Sequence, residues 1–90
     1  MELKNTVALM NSDDYKERFK AEYYQTKIRY EKLKAFNTKI EAHERTRFTC
    51  LSTSEPKHDC PLDLLREQQS VMGAYLHTLE VRAVIEGIEL

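Results

Sequence analysis

Residues 64–82 read LLREQQSVMGAYLHTLEVR, and the spacing of their apolar side chains predicts a long α-helix. Leu65, Met72 and Leu79 recur every seven residues, as apolar side chains do on the packed face of an α-helix. A polar set with the same period lies between them: Gln68, Tyr75 and Arg82. The inward face of a helix is normally apolar, so the polar set either fixes the register of neighbouring helices, lies at an edge, or binds a ligand.

This helix extends beyond the quoted stretch in both directions. Pro61 is suited to a first helical turn, with Cys60 or Asp59 before it as the expected N-cap. Gly87 supplies a residue that readily adopts the left-handed conformation in which helices often end. The sequence therefore predicts a helix over residues 61–86.

An earlier segment, residues 13–47, contains neither glycine nor proline and predicts a helix about 50 Å long. Its main apolar side, which includes one amide, recurs at about 100° per residue: Tyr15, Phe19, Tyr23, Tyr30, Leu33, Phe36, Asn37 and Ile40. A thinner stripe lies on the opposite side: Tyr24, Ile28, Ala35 and Ala42. Two stripes indicate that this helix contacts more than one neighbour, unless the second is ordinary scattered surface.

The predicted fold is all-α, an antiparallel helical hairpin of two long helices in a single domain, 1–90. Its expected divisions are a lead over 1–12, helix one over 13–47, a connector over 48–60, helix two over 61–86 and an apolar tail over 87–90. A chain of 90 residues has a small core, and helix two is apolar around much of its circumference. We therefore expect the hairpins to assemble into a homo-oligomeric bundle.

The charge distribution disfavours nucleic-acid binding. The net charge is −1, with 11 basic and 8 acidic residues over 1–47 and 3 basic and 7 acidic over 48–90. A basic half followed by an acidic half fits antiparallel helices or subunits meeting head to tail, and no long basic face is present. No signal peptide or membrane-spanning run is recognisable, so the expected location is the cytoplasm, with reduced cysteines and no membrane partner.

Motifs of enzymes and metal sites are missing from the sequence. It contains no glycine-rich phosphate loop, nucleophile elbow or HExxH motif, so we expect no catalysis and no cofactor. Cys50, His58 and Cys60 are three potential zinc ligands in one loop, but they lack the paired spacing and the fourth ligand of a zinc site. The sequence therefore predicts no metal.

Both helices carry a family resemblance. The pattern L-L-x-x-Q-x-x-x-M-x-x-Y-x-x-x-L-x-x-R resembles small phage proteins named after a crAss-like phage open reading frame. It is met by Leu64, Leu65, Gln68, Met72, Tyr75, Leu79 and Arg82. In KIRYEKLKAF of helix one, four residues fall where that family tends to place the same types: Arg29, Lys32, Leu33 and Phe36. That family's name implies no activity.

A looser resemblance is to the phage helical-hairpin sponges that block CBASS or Thoeris immunity. It is carried by chain size, the long-helix hairpin and a Cys-Pro start to a helix that contains methionine. Those sponges are oligomers that bind cyclic dinucleotides or ADP-ribose-derived signals between subunits without cleaving them. The resemblance implies that this chain sequesters a nucleotide-derived immune signal.

The polar set suits such a ligand. The Arg82 guanidinium can bind phosphate oxygens, the Tyr75 ring can stack on a base, and the Gln68 amide can bond to its edge. Arg29 and Lys32 of helix one are the expected opposite side of the pocket. The main alternative is a small adaptor or inhibitor that docks a host or phage protein through exposed apolar helix faces, either Tyr24 with Ile28 or Val81 with Val84.

Overall fold

A computed structural model describes residues 1–49 and 54–90. Its elements are a 3-10 turn at Leu3–Thr6, α1 at Val7–Met10, α2 at Tyr15–Thr46 and α3 at Leu62–Glu86. The described residues form no strand, which confirms the all-α prediction. The lead contributes a third helix, α1, that the sequence did not predict.

Helix α2 begins at Tyr15, two residues later than predicted, because Asp14 caps it. The Asp14 carboxylate accepts a hydrogen bond from the backbone N–H of Lys16 at 3.0 Å, satisfying one of the unpaired donors of the first turn. The helix then continues for 32 residues to Thr46. At 1.5 Å per residue its length is about 48 Å.

The start of α3 differs from the expectation, whereas its end agrees with it. Pro61, not Cys60 or Asp59, is the N-cap; its extended backbone (φ −58°, ψ 145°) precedes the first helical residue, and no side chain caps the helix. Gly87 ends α3 in the left-handed conformation (φ 71°). The backbone N–H groups of Gly87 and Ile88 both donate to the carbonyl of Ala83, which turns Ile88 into the core.

Helices α2 and α3 pack side by side in opposite directions. Tyr23 of α2 hydrogen-bonds to Glu80 of α3, and Asn37, fourteen residues further along α2, reaches back to Leu65. The shared core is a cluster of buried residues: Phe19, Tyr23, Leu76, Leu79, Ala83 and Ile88. Burial of this apolar surface is the main force holding the two helices together.

The two seven-residue sets of α3 take different positions. Leu79 is buried, and Leu65 and Met72 are half-buried, so the apolar set faces inward. The polar set is exposed to solvent: Gln68, Tyr75 and Arg82. It lies at the edge of the α2–α3 interface and outside the core.

The N-terminal lead packs against the first half of α2. Thr6 is fully buried, and its hydroxyl donates to the carbonyl of Leu3 and accepts from the Gln25 side chain at 2.9 Å. The second stripe of α2 is divided accordingly: Tyr24 and Ile28 are half-buried, whereas Ala35 and Ala42 are exposed. In the described ranges, no helix is long and apolar enough to cross a membrane.

Candidate functional site

The α2–α3 interface has two long edges, and the sequence-predicted residues lie mainly on one of them. We call this the Tyr15 edge, formed by Tyr15 and Glu22 of α2 with Tyr75 and Arg82 of α3. The Tyr75 hydroxyl donates to Glu22 at 3.0 Å. One terminal nitrogen of Arg82 donates to the Tyr15 hydroxyl at 2.6 Å. These bonds tie the two helices together at intervals of seven residues.

Arg29 and Gln68 occupy the next step of the same edge. Tyr15, Glu22 and Arg29 are seven residues apart on α2, and Arg82, Tyr75 and Gln68 are seven apart on α3. Since the helices run in opposite directions and the first two pairs are in contact, Arg29 falls at the level of Gln68. Both side chains are exposed.

Arg82 already has partners within the chain. Its Nε donates to Glu86 at 3.0 Å, and its guanidinium lies 5.1 Å from the centre of the Phe19 ring. The hydrogen bond to Glu86 is the main reason that the pKa of Arg82 is raised. A phosphate at this edge would therefore compete with the Glu86 carboxylate for Arg82.

Lys32 is separate from the other four predicted residues. It lines a surface groove with Met1 and Ile28, on the side of α2 that the N-terminal lead covers. The structure thus brings Arg29, Gln68, Tyr75 and Arg82 to one edge and leaves Lys32 facing the lead.

The opposite edge carries a concave site, which we call the Tyr30 groove. Its volume is about 370 Å³, within the range of small-molecule pockets. Its lining is largely polar: Tyr30, Asn37, Thr38 and Glu41 from α2, and Arg66, Gln69, Ser70 and Gly73 from α3. A guanidinium, an aromatic ring and two carboxamides thus converge on one concave surface.

Asn37 lies in the wall of the Tyr30 groove and is only 4% exposed. Its side-chain nitrogen donates to the Leu65 carbonyl at 3.1 Å and to the Gln69 side-chain oxygen at 2.9 Å. Because the Leu65 carbonyl can only accept, the amide orientation is fixed. The Asn37 Oδ1 atom has no hydrogen-bond partner among the described residues. A buried acceptor of this kind favours a donor from outside the chain.

Gly73 makes space in the same groove. A Cβ atom at this position would lie 3.3 Å from Cε1 of Tyr30, closer than ordinary contact. Glycine inside a helix reduces stability by about 1 kcal/mol relative to alanine. The close approach of the Tyr30 ring accounts for its presence, and the missing side chain leaves the face of α3 open beside that ring.

A second concavity, of about 230 Å³, continues the groove past Tyr30 and Gly73. Tyr23 lies in its wall, with its hydroxyl donating to Glu80 at 3.0 Å. Burial, together with this bond, raises the pKa of Tyr23 to about 12. The hydroxyl is therefore uncharged at neutral pH, and Lys27 is the cation of this section.

Sequence reasoning did not identify Arg66 and Gln69 as members of a site. Each directly follows a member of the seven-residue sets on α3, and neither belongs to a recognisable motif. Two signals were nevertheless visible in the sequence: Asn37 on an otherwise apolar side of helix one, and Gly73 inside helix two. Both lie at the Tyr30 groove.

Of the two cysteines considered as metal ligands, the structure describes one. Cys50 lies outside the described residues, and Cys60 is a free, exposed thiol. His58 contacts the backbone carbonyl of Cys60 through Nδ1 at 2.7 Å and the Glu55 carboxylate through Nε2 at 3.1 Å.

Comparison with known proteins identifies a family. The family model described as Sequestin matches residues 13–85, which contain both long helices and both edges. No curated protein and no solved structure matches. Because the match spans well over half of its length, the chain belongs to the Sequestin family.

Proposed function

We propose that this protein sequesters a nucleotide-derived immune signal by binding it, without cleavage, in the Tyr30 groove. The name of its family points to sequestration, and the resemblance to phage sponges supplies the class of ligand. The proposal rests on the unpaired Oδ1 of Asn37. This atom is buried in the wall of a concave site in which Gly73 contributes no side chain. The setting we infer is a phage or prophage protein acting in the host cytoplasm.

The groove offers complementary chemistry for each part of a nucleotide. Once a side-chain movement exposes it, the Asn37 oxygen, which is buried in the free chain, can accept from an amino or imino N–H of a base, and the Gln69 carboxamide lies beside it. The Tyr30 ring can pack against the base plane, and Arg66 can bind a phosphate. A neutral Asn37 suits an anionic ligand better than a carboxylate would at the same buried position.

Two variants locate the ligand on one edge or the other. Arg66→Gln removes the cation of the Tyr30 groove, and Arg82→Gln, its matched control, removes the cation of the Tyr15 edge. We expect Arg66→Gln to weaken binding by about tenfold or more, as for loss of a charge-assisted hydrogen bond, and Arg82→Gln to leave it nearly unchanged. The reverse pattern would place the ligand with Arg29, Gln68, Tyr75 and Arg82.

The binding itself is measured with defined ligands. Purified cyclic dinucleotides and cyclic ADP-ribose isomers are incubated with the protein, and calorimetry gives affinity and stoichiometry. Bound molecules are then released by heating and identified by chromatography. Intact release supports sequestration, a hydrolysed product contradicts binding without cleavage, and no binding to any member of the panel contradicts the proposal.

We further propose that the helical hairpins associate into a homo-oligomer through α3. Exposed residues on α3 follow the alternating spacing of four and three that is typical of helix–helix interfaces: Leu64, Gln68, Val71, Tyr75, Thr78, Arg82 and Ile85. Val71 is 62% exposed and Ile85 78% exposed, so this stripe leaves apolar area unburied in the single chain. Tyr75 and Arg82 would then specify the register of the association.

Light scattering coupled to size exclusion tests the association. Val71→Asp places a charge within the stripe and should give a smaller species. Val84→Asp changes the same residue type at an exposed position outside the stripe and should leave the mass unchanged. A wild-type monomer at all concentrations would contradict the oligomer and leave the Tyr30 groove, which one chain forms alone, as the binding site.

The rival function is docking of a host or phage protein, favoured by the exposure of Val84, which is 84%. Of its two candidate surfaces, Tyr24 with Ile28 is half-buried near the lead, whereas Val81 with Val84 is exposed. Val84→Asp would disrupt such an adaptor and leave nucleotide capture intact. Arg66→Gln would have the opposite effect, so the pair of variants separates the two functions.

A further inference from the structure

The second part of the connector contacts the end of α2 through two histidines and a carboxylate. Nε2 of His43, on α2, lies 3.6 Å from one oxygen of Glu55, and Nε2 of His58 lies 3.1 Å from the other. The Glu44 carboxylate is close by: one potential ligand atom from each of His43, Glu44 and Glu55 lies within 4.8 Å of the others. The Glu55 carboxylate thus contacts both histidine rings, and His58 adjoins the cluster of three through Glu55.

The hydrogen bonding of His58 favours a positive charge beside Glu55. Its Nδ1 lies 2.7 Å from the carbonyl oxygen of Cys60, and since a carbonyl can only accept, Nδ1 carries the hydrogen. In neutral imidazole, Nε2 is then a lone pair directed at a Glu55 oxygen 3.1 Å away. Two acceptors then face each other, and a positive charge between them stabilises the contact, either as a proton on Nε2 or as a metal ion.

We propose that His43, Glu44, Glu55 and His58 form a binding site for a divalent transition metal of the zinc class. Imidazole nitrogens and carboxylate oxygens are established ligands of Zn²⁺, at about 2.0–2.2 Å. At those bond lengths the donor atoms of a tetrahedral site lie about 3.3 Å apart. Glu55 lies 3.6 Å and 3.1 Å from the two rings, close to that value, and a side-chain rotation that brings the His58 nitrogen toward His43 and Glu44 completes the site.

The surroundings orient the ligands as metal sites require. The bond from Nδ1 of His58 to the Cys60 carbonyl fixes the ring tautomer that presents Nε2 to the ion. The Phe36 ring meets the His58 ring edge to face at a centroid distance of 6.3 Å and restricts its rotation. An ion bound here joins the connector residues Glu55 and His58 to α2. It thereby stabilises the segment that leads into α3.

Calorimetric titration of chelator-treated full-length protein with zinc chloride tests the site. We expect one ion per chain and a rise in melting temperature. His43→Gln and His58→Gln should each weaken binding at least tenfold, because each removes one imidazole ligand. The matched control is His77→Gln, which changes an exposed histidine of α3 and should bind as wild type. Far-UV circular dichroism verifies that every variant remains helical.

The thiols Cys50 and Cys60 provide the competing explanation. The double variant Cys50→Ser, Cys60→Ser should retain wild-type affinity for zinc. Cobalt(II) substitution should give visible d–d absorption without the near-ultraviolet charge-transfer band of a thiolate. Loss of binding in the double cysteine variant, a thiolate band, or wild-type affinity in both His43→Gln and His58→Gln would each overturn the proposal.

Discussion

The Asn37 side chain donates a hydrogen bond to the Gln69 side chain across the α2–α3 interface, at 2.9 Å. It donates a second to the Leu65 carbonyl, in the preceding turn of α3. A buried amide with two bonds to the opposite helix fixes how far one helix can slide along the other. The same arrangement holds Gln69 in place in the wall of the Tyr30 groove.

Replacing Asn37 should therefore reduce stability. Asn37→Ala leaves the Leu65 carbonyl and the Gln69 side chain without their donor, and we expect the free energy of unfolding to fall by about 1–3 kcal/mol. Thr38→Ala is the matched control, because the Thr38 hydroxyl is exposed and bonds only within its own helix, to Lys34. Urea denaturation measures both; equal effects would show that the Asn37 bonds contribute nothing.

The Tyr23 hydroxyl predicts a loss of stability at alkaline pH. Burial and the bond to Glu80 raise its pKa from 10.0 to about 12, so folding favours the neutral phenol. The stabilisation is complete below pH 10, where the unfolded chain also keeps the proton, and is lost as the pH rises through about 12. Denaturation across this range should show stability falling with pH.

Tyr23→Phe removes the titrating group and tests its assignment. At neutral pH the variant should lose about 0.5–1.5 kcal/mol, because the Glu80 hydrogen bond is gone. Between pH 10 and 12 its stability should decline less steeply than that of the wild type. A decline as steep as that of the wild type would assign the alkaline loss of stability to another group.

The fold was largely predictable because its signals are local or periodic. The stop at Gly87 follows from the backbone freedom of glycine, and the inward position of Leu79 follows from the seven-residue period of Leu65, Met72 and Leu79. The lead was not predictable in this way. Its position depends on contacts such as the one between Thr6 and Gln25, nineteen residues apart, and neither residue marks the contact in the sequence.

The site was less predictable than the fold, because a periodic sequence pattern does not distinguish the two edges of a helix pair. Gln68, Tyr75 and Arg82 are conspicuous as polar residues beside an apolar set, yet two of them bond to α2 within the chain. Gln69 and Arg66 are inconspicuous, yet they line the concave side. Concavity depends on how closely two helices pack, and on this side the Tyr30 ring packs directly against Gly73.

The packing of the lead against α2 predicts a further change in stability. Thr6→Val keeps the shape of a fully buried side chain but removes the hydroxyl that accepts from Gln25, and we expect a loss of about 1 kcal/mol. Thr46→Val is the control, because among the described residues its hydroxyl bonds to Ala42 of the same helix. Hydrogen exchange should show faster exchange at α1 in Thr6→Val alone; unchanged protection there would mean that this bond does not hold the lead.

Substitution of Gly73 separates binding from stability. In Gly73→Ala the new Cβ lies 3.3 Å from the Tyr30 ring, which opposes the gain of about 1 kcal/mol in helix propensity. The net change in the free energy of unfolding should stay below about 1 kcal/mol, while the narrowed Tyr30 groove should bind the proposed nucleotide ligand several-fold more weakly. Gly87→Ala is the reciprocal control. It strains a left-handed residue with no atom within 4 Å of the added Cβ, so it should lower stability by about 1 kcal/mol and leave ligand affinity unchanged. Calorimetry and urea denaturation on the two variants should give opposite patterns; weaker binding in Gly87→Ala, or unaltered binding in Gly73→Ala, would place the ligand outside the Tyr30 groove.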